Sequence, residues 1–244
     1  MDHYHLLAKD YDSLHPKQEV FKQQPFFEGL IEEYSVETCL DCACGIGWHL
    51  YMLAHLGIRC YGSDISNEML SAAKDNLKGL DIPLKRQDYR TLENSWDQRF
   101  DMVICMSTSL HHMLTDDDMV KALASMHARL NERGILVISS GITDALLDER
   151  PKFIPATIMG DHAFYFFLEY PSEHKVVFNI LHVKKTEESF EHAFYVMDYN
   201  AIRQEEIDRL LRETNFNTIR YFSDFDFSPY SKETSRRMVI VAQR

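Results

Sequence analysis

Residues 40–49 read LDCACGIGWH, and the stretch has two possible interpretations. The choice between them decides the fold. Its cysteines could belong to a metal site, since Cys39 and Cys42 have the CxxC spacing of a zinc-binding pair. Its glycines, Gly45 and Gly47, follow an apolar run and could form a turn that holds a nucleotide. The two interpretations predict different proteins.

The cysteine pattern favours packing over metal binding. The five cysteines are Cys39, Cys42, Cys44, Cys60 and Cys105. No second pair follows the first, and all lie in or beside predicted central strands, where a small apolar thiol packs well. An odd number also argues against a disulfide framework, and we expect no signal peptide. His3, His5 and His15 share no spacing that demands a metal. We therefore expect core thiols and no metal site.

The glycines lie where a nucleotide is commonly held. They follow a predicted strand at 36–43 and precede a predicted helix at 48–56. Backbone N–H groups at a helix start are unpaired, and glycine lets a ligand approach them closely. Asp64 ends the next predicted strand, about 20 positions further on, where a carboxylate can accept hydrogen bonds from ribose hydroxyls. The combination predicts a nucleotide-containing ligand.

Leu50 narrows the choice of nucleotide. It occupies the position of the third glycine in the dinucleotide motif GxGxxG, which disfavours NAD or FAD. The sequence also contains no GxxxxGK[ST] motif, so it has no P-loop. A nicotinamide oxidoreductase remains a distant alternative.

Strand and helix patterns alternate five times between residues 36 and 140, with short connections. This alternation predicts an α/β fold with a parallel sheet and helices on both faces. Residues 17–33 before it have the pattern of an amphipathic helix interrupted near Pro25. We expect four regions: an N-terminal helical cap at 1–35, a core at 36–145, an antiparallel insertion at 146–200 and a completion of the core sheet at 201–244.

The predicted insertion rests on three aromatic and β-branched runs separated by polar turns. They cover residues 163–170, 176–183 and 191–199 and have the pattern of an antiparallel meander. A helix at about 201–214 and strands near 217–223 and 237–242 are predicted to finish the chain.

The motifs of the core resemble, in order, those of class I S-adenosylmethionine (SAM) dependent methyltransferases. DCACGIG, SDISNEML, RQDYRTL, FDMVICMSTSLHHM and LNERGILVIS match the successive motifs of that family. The resemblance covers residues 36–140 and implies a Rossmann-like seven-stranded sheet, with SAM as methyl donor and S-adenosylhomocysteine as product. The strand-four motif, the insertion and the tail FSDFDFSPYSKE are most similar to the glycine/sarcosine N-methyltransferase-like group.

The resemblance implies a set of cofactor-binding residues. Asp41, Ala43, Gly45 and Gly47 would serve the methionine portion and its loop, Asp64 the ribose, Ile65, Met69, Asp88 and Tyr89 the adenine, and Met106 would contact the cofactor from the end of strand four. Two of these positions keep a structural alternative. Asp88 also suits a helix N-cap, and Met69 also suits a plain helix core.

The resemblance also implies residues on the substrate side. His112 and Tyr11 are the candidate catalytic residues, His112 as a general base and Tyr11 as a residue that closes the site. The candidate substrate-binding residues are Thr108, His111, Tyr195, Tyr199 and Tyr230. The alternative for His111 and His112 is a loop histidine bonded to backbone, and the three tyrosines also suit purely structural positions.

Two departures from the glycine-methylating relatives bear on the acceptor. The arginine that clamps the substrate carboxylate in those relatives is Gly141 here, and the substrate-side asparagine is Thr108. A carboxylate would therefore lose its bidentate partner. We predict methyl transfer to a small molecule, at nitrogen, by direct in-line displacement. The alternatives are an O-methyltransferase, a peptide N-terminal methyltransferase and a SAM-binding module without catalysis.

Charge and hydropathy limit the partners. The net charge is −12, and the dense basic spots, Lys184-Lys185 and Arg236-Arg237, are short. Nucleic-acid binders neutralise phosphates with clustered lysine and arginine, so a nucleic-acid substrate is disfavoured. No apolar run approaches the roughly 18 residues of a membrane span. We expect a cytoplasmic protein that binds a small molecule, with self-association into a homo-oligomer left open.

Overall fold

A computed structural model describes residues 10–244. Its strands are β1 (Thr38–Asp41), β2 (Arg59–Asp64), β3 (Leu84–Arg86), β4 (Phe100–Cys105), β5 (Leu130–Ser140), β6 (Phe153–Met159), β7 (His162–Ser172), β8 (Lys175–Lys185), β9 (Phe190–Asn200), β10 (Thr218–Phe222) and β11 (Met238–Gln243). Its α-helices are α1 (Tyr11–Leu14), α2 (Lys17–Phe21), α3 (Gln24–Tyr34), α4 (Trp48–His55), α5 (Asn67–Asn76), α6 (Asp116–Ala128), α7 (Asp144–Glu149) and α8 (Gln204–Glu213). Short 3₁₀ helices cover Tyr89–Asn94 and Ser109–His112.

The main sheet has seven strands in the order β10-β11-β5-β4-β1-β2-β3. β1 pairs in parallel with both β2 and β4, and β11 runs antiparallel to β5 and β10. The chain proceeds from β1 toward one edge and then returns to β4 and the other edge. In such sheets ligands bind beyond the carboxyl ends of the strands where this reversal occurs, which here means β1 and β4. The predicted Rossmann-like fold is confirmed.

Helices cover both faces of the main sheet because each presents an apolar stripe. On one face α3, α4 and α5 bury Phe27, Leu53 and Ala73. On the other face α6 and α8 bury Leu123 and Leu210. Free, buried cysteines pack in the strands and in the loop after β1, as predicted.

A second sheet of four antiparallel strands, in the order β6-β7-β8-β9, follows β5 in the chain. Its strands β7 to β9 confirm the predicted meander. β6 was not predicted, since Pro155 interrupts the pattern of its sequence FIPATIM. One face packs Phe164, Leu168 and Ile180 into a third apolar cluster. The other face also carries apolar side chains, with Phe194 57% exposed.

The N-terminal region differs from the prediction in its detail. The helix predicted at 17–33 is interrupted, as expected, and forms α2 and α3. The break precedes Pro25, which lies in the first turn of α3, where its missing N–H costs no hydrogen bond. Residues 1–9 of the predicted cap lie outside the described residues. Within residues 10–244, no helix combines the length and apolar character needed to cross a membrane.

Candidate active site

The loop after β1 has a backbone shape that glycine makes possible. Gly45 and Gly47 have φ angles of +52° and +90°, in the left-handed region that disfavours residues with a Cβ. A Cβ on Gly47 would also lie 3.0 Å from Leu77 Cδ1, because α5 packs against the loop. Gly47 therefore allows both the left-handed turn of the loop and its close packing against Leu77.

Asp64 holds this loop from the end of β2. Its Oδ2 accepts a hydrogen bond from Gly45 N at 2.8 Å, and its Oδ1 accepts one from Ser66 N at 2.9 Å. The two bonds fix the orientation of the carboxylate. Ser66 in turn caps α5 by accepting from Met69 N. The loop, β2 and α5 thus share one polar junction.

A first cavity of about 510 Å³ opens over this junction. Nine of the predicted site residues line it: Tyr11, Ala43, Gly45, Asp64, Ile65, Met69, Asp88, Tyr89 and His112. It is completed by Cys42, Arg90, Ser109, Met113, Leu114, Val196, Met197 and Asp198. The structure therefore brings together residues from four strand ends, α1 and β9.

Asp88 lies on the wall of the first cavity and also caps a helix. Its Oδ1 accepts from Arg90 N at 2.8 Å, and its Oδ2 accepts from Arg90 Nη2 at 2.6 Å. Burial alone would raise the pKa of Asp88, but the side-chain and backbone bonds from Arg90 hold that pKa below its usual value. The N-cap alternative is thus confirmed, and an adenine contact would use a carboxylate that is already anchored.

Three predicted cofactor residues do not line the first cavity: Asp41, Gly47 and Met106. Met106 is buried in the apolar cluster beneath the sheet, so the structure does not support a direct contact. Asp41 is buried and accepts from Ala43 N at 3.2 Å. Burial raises the pKa of Asp41 to about 8, opposed by the Ala43 N–H and reinforced by Asp64.

A second cavity of about 940 Å³ adjoins the first. The two share Tyr11 and Met197 in their walls. The second cavity has an apolar wall from the second sheet, formed by Ile154, Phe166, Phe178, Ile180 and Tyr199. Thr108 and Gly141 line it from the ends of β4 and β5, and Arg236 and Arg237 line it near β11. Tyr11 and Met197 therefore lie at the border of the two cavities, the passage at which a ligand of one would meet a ligand of the other.

Tyr11 approaches the loop after β1 closely. A Cβ on Gly45 would lie 3.8 Å from Cε1 of the Tyr11 ring. The helix that carries Tyr11 is tied to α4 by Trp48 Nε1, which donates to Asp12 Oδ1 at 2.6 Å. Burial, with Tyr199, Asp64 and Asp41 nearby, raises the pKa of Tyr11 well above its usual range. The phenol is therefore protonated at neutral pH.

His112 lines the first cavity and does not line the second. Its ring lies 4.6 Å from the Tyr199 ring, centroid to centroid. Burial lowers the pKa of His112, opposed by a hydrogen bond to the backbone of Asp198. The imidazole is neutral at pH 7, and it lines the same cavity as Asp64.

Three predicted substrate residues do not reach either cavity: His111, Tyr195 and Tyr230. His111 is fully buried and uses Nδ1 to contact Asn200 O at 2.8 Å, which joins the loop after β4 to β9. Tyr195 packs inside the third apolar cluster. The Tyr230 hydroxyl donates to Asp144 Oδ2 at 2.8 Å and positions α7. The structure therefore places all three in structural contacts, away from both cavities.

His15 is a residue of the second cavity that the sequence did not reveal. Its ring lies 4.9 Å from the Tyr11 ring, centroid to centroid. Burial lowers the pKa of His15 to about 4, assisted by Arg237. No motif surrounds His15, and its place in the wall depends on α1 meeting the segment near β11.

The comparisons with known proteins agree with this geometry. Residues 39–134 match a family described as "Methyltransferase domain". The chain is 29% identical, over 82% of its length and 74% of the relative's, to a glycine/sarcosine N-methyltransferase of Aphanothece halophytica. It is 28% identical, over 54% of its length and 52% of the relative's, to a dTDP-3-amino-3,6-dideoxy-alpha-D-glucopyranose N,N-dimethyltransferase of Streptomyces fradiae.

The fold has close structural neighbours as well. A SAM-dependent methyltransferase from Clostridium acetobutylicum superposes with a TM-score of 0.84 at 21% identity, covering 98% of each chain. The chain therefore contains a methyltransferase domain and has the fold of SAM-dependent methyltransferases. Another structure with this fold, an amino pentose methyltransferase from Micromonospora echinaspora, has SAM bound and superposes with a TM-score of 0.73 at 18% identity, covering 96% of each chain.

The first cavity fits SAM in size and chemistry. Its 510 Å³ lies within the roughly 300–1,000 Å³ of small-molecule sites. A fixed carboxylate at Asp64 can accept from paired hydroxyls, and the open loop at Gly45 lets a ligand approach the backbone. Ile65 and Met69 supply apolar surface for a flat base.

Proposed function

We propose that this methyltransferase transfers the methyl group of SAM to an amine nitrogen of a small molecule larger than an amino acid. The observation that carries the proposal is the 940 Å³ second cavity, which meets the first at Tyr11 and Met197. A methyl group transferred between the two cavities would pass this point.

The cofactor would be held by residues of the first cavity. We assign Asp64 to the ribose hydroxyls, Ile65, Met69, Asp88 and the Tyr89 backbone to the adenine, and Ala43 and Gly45 to the methionine portion. Asp41 and Gly47 would act through the shape of the loop. A bound SAM supplies a methyl group that its sulfonium charge already activates for transfer.

The apolar wall of the second cavity supports a bulky acceptor. Phe166, Phe178 and Ile180 present the face of the second sheet to the acceptor space. Enclosing an amine there removes water from it, and desolvation lowers the pKa of an ammonium group. The neutral amine has the free electron pair that an in-line displacement requires.

The lysine and arginine side chains of the second cavity already have acidic partners, which argues against a simple amino acid as acceptor. Arg236 Nη1 contacts Glu149 Oε2 at 2.6 Å, and Lys22 Nζ contacts Glu19 Oε1 at 2.6 Å. Arg237 forms an ion pair with Asp224. A carboxylate in the acceptor would have to displace one of these partners.

His15 is better placed than His112 to act on the acceptor, because His15 lines the second cavity. Its imidazole is neutral, so it can accept a hydrogen bond from the amine N–H. That bond would direct the nitrogen electron pair toward the passage at Tyr11. The protein would therefore contribute mainly proximity, alignment and exclusion of water.

The names of the two curated relatives support nitrogen as the accepting atom, since one acts on glycine and sarcosine and the other on an amino sugar. The test is a panel of amines graded in size from glycine to amino sugars and arylalkylamines, each paired with its hydroxyl analogue. Formation of S-adenosylhomocysteine is measured for each compound, and the methylated atom is located by NMR.

We expect turnover of at least one larger amine, with kcat/KM at least about tenfold above that for glycine, as a contact worth about 1.4 kcal/mol would give. Preference for glycine would contradict the size of the acceptor, and preference for the hydroxyl analogues would contradict nitrogen. SAM binding without turnover of any compound would favour a non-catalytic SAM-binding protein.

A further inference from the structure

Asp10, His162 and His182 form a cluster outside the two cavities. Asp10 directly precedes α1, and the two histidines lie on the neighbouring strands β7 and β8. The register pairs His162 with Lys184 and Phe164 with His182, which places both imidazoles on the same face of the second sheet. One donor atom from each of the three residues lies within 4.8 Å of the others.

The distances around the Asp10 carboxylate are longer than hydrogen bonds. Asp10 Oδ1 is 3.8 Å from His162 Nδ1, and Asp10 Oδ2 is 3.7 Å from His182 Nδ1. Hydrogen bonds between nitrogen and oxygen span about 2.7–3.2 Å. Ligand atoms around a tetrahedral zinc ion are about 3.3–3.5 Å apart, since each bond is about 2.0–2.2 Å. The 3.8 Å between Asp10 Oδ1 and His162 Nδ1 is thus closer to the spacing of two ligands on one ion than to a direct bond, and an ion there would use Nε2 of His182, the nitrogen that faces His162.

The two imidazoles are hydrogen-bonded to each other edge to edge. His162 Nδ1 lies 2.9 Å from His182 Nε2, and the rings are within 9° of parallel with centroids 5.1 Å apart. That centroid distance is what a nearly coplanar pair requires, so one ring nitrogen donates and the other accepts. An ion that bound both nitrogens would replace the shared proton and increase the distance between the two nitrogens by about 0.4 Å.

The surroundings of His182 hold its side chain in one orientation. The ring is buried and stacks on Phe164, with centroids 4.4 Å apart and planes 7° apart. The stacking fixes the plane of the His182 ring, so its nitrogens point along the sheet toward His162 and Asp10.

Among residues 10–244, Lys184 is a nearby group that opposes a cation. Its Nζ lies 4.0 Å from Asp10 Oδ1, and the side chain is 42% exposed. A flexible, half-exposed lysine can turn into solvent when an ion takes its place beside the carboxylate. Its pairing with Asp10 is weak at this distance and exposure.

We propose that Asp10, His162 and His182 form a site for a divalent transition metal ion of the Zn²⁺ type. Two imidazoles and one carboxylate are a common ligand set for such ions, and water completes the coordination. The site would tie the residue before Tyr11 to the second sheet. A bound ion would therefore hold α1 at the passage between the cavities without taking part in methyl transfer.

The test uses the full chain without a purification tag, titrated with ZnCl₂ by calorimetry and with CoCl₂ by visible absorption. Asp10→Asn and His162→Ala each remove one ligand. His192→Ala is the matched control, because His192 is exposed on β9 and lies on the opposite face of the same sheet. SAM affinity and melting temperature of every variant show whether it has folded.

We expect one equivalent of Zn²⁺ to bind the wild type and raise its melting temperature. Affinity should fall at least about tenfold in Asp10→Asn and in His162→Ala, since even indirect partners of a metal contribute that much, and should stay unchanged in His192→Ala. Absence of stoichiometric binding to the wild type would overturn the proposal. Binding that survives both ligand substitutions would overturn it as well, by placing the metal on other residues.

Discussion

The two cavities of the methyltransferase are built in different ways. The first takes most of its wall from strand ends of the main sheet, in short segments such as 42–45, 64–69 and 88–90. The second takes its wall from α1 and α2, the end of β5, the second sheet and the segment before β11. Most of the first wall is thus built from a few short segments of one sheet. The second wall forms only when segments from distant parts of the chain come together.

The two cavities also differ in how they use charge. In the first, Asp64 and Asp88 present carboxylates fixed by backbone N–H donors. In the second, Arg236 and Arg237 are engaged by acidic partners from other elements. Fixed acceptors of hydrogen bonds select one ligand, while an apolar wall with paired charges selects mainly by size and shape.

Asp64→Ala should disrupt the first cavity and have the largest effect on SAM binding. It removes the acceptor proposed for two ribose hydroxyls, each bond being worth about 1.5–3 kcal/mol, and also frees Gly45 N. We expect SAM affinity to fall at least about 100-fold in isothermal calorimetry.

Asp88→Asn is the matched comparison for Asp64→Ala. The Asp88 carboxylate is already engaged by Arg90, and an amide keeps one oxygen acceptor in place. We expect a loss in SAM affinity of about tenfold or less. Unchanged SAM affinity in Asp64→Ala would show that its ribose assignment is wrong, and an equal loss in Asp88→Asn would show that Asp88 contributes as much to SAM binding as Asp64.

His15→Ala and His112→Ala should separate the two cavities by function. Removing His15 takes away one hydrogen-bond acceptor from the acceptor site, so kcat/KM for the amine should fall about tenfold with SAM affinity unchanged. Removing His112 opens the wall of the first cavity, so SAM affinity should also fall. Steady-state kinetics and SAM calorimetry on both variants check this.

The opposite pattern would reverse the assignment. If His112→Ala lowered kcat while SAM affinity stayed constant, His112 would act as the base that the sequence predicts. His49→Ala serves as a control for the loss of a buried neutral histidine, because His49 contacts Gln23 and lines neither cavity.

The same contrast explains which residues of the two cavities could be predicted from the sequence. Gly45 and Asp64 were recognisable because a strand end and the residues beside it are local in the chain, and the parallel sheet brings those ends together. Tyr195 and Tyr199 alternate onto the same face of β9, yet only Tyr199 reaches a cavity. The alternation of side chains along a strand predicts which face each one is on. It does not predict which part of that face borders a cavity.

Other misses have similar causes. Tyr230 lies in a tail that resembles its relatives, but its hydroxyl is used by Asp144 of α7, a helix that was not predicted. His15 has no motif around it, and its surroundings in the wall depend on Arg237, which comes from a distant part of the chain. Such residues become functional candidates only once tertiary contacts are known.

Gly141→Arg tests whether a large acceptor occupies the part of the second cavity beside Gly141. A Cβ at this position would meet only Thr108 Oγ1, at 3.8 Å, so the backbone tolerates a side chain. The arginine would enter the second cavity and supply a carboxylate partner. We expect kcat/KM for the larger amine to fall about tenfold, measured by S-adenosylhomocysteine formation, while SAM affinity is unchanged.

Gly141→Ala is the control for Gly141→Arg, since it adds a Cβ without filling the cavity. It should leave the kinetics within about twofold of wild type, as surface substitutions change free energies by only about 0.5 kcal/mol. Unchanged turnover of the larger amine in Gly141→Arg would show that the acceptor does not use this part of the cavity.

Asp41→Asn should have the smallest effect, on stability. The carboxyl of Asp41 has its pKa raised from 3.8 to about 8 by burial, so folding favours its protonated form. That contribution is fully present below the unfolded-state pKa and is lost as the pH rises toward 8. We expect Asp41→Asn to raise the melting temperature of the cofactor-free protein by about 2–4 °C at pH 8, as about 1 kcal/mol does in a chain of this size, and by less at pH 5.

Asp101→Asn gives the opposite sign and so tests the same reasoning. Burial would raise the pKa of Asp101, but hydrogen bonds from Asn131, Thr38 and the Glu37 backbone hold it below its usual value. Its stabilising contribution is therefore present above the unfolded-state pKa and lost as the pH falls. Calorimetric scans at pH 5 and 8 should show Asp101→Asn destabilised at both, because both lie above that pKa. A destabilising Asp41→Asn at pH 8 would show that Asp41 is charged in the folded state, held by contacts stronger than its burial.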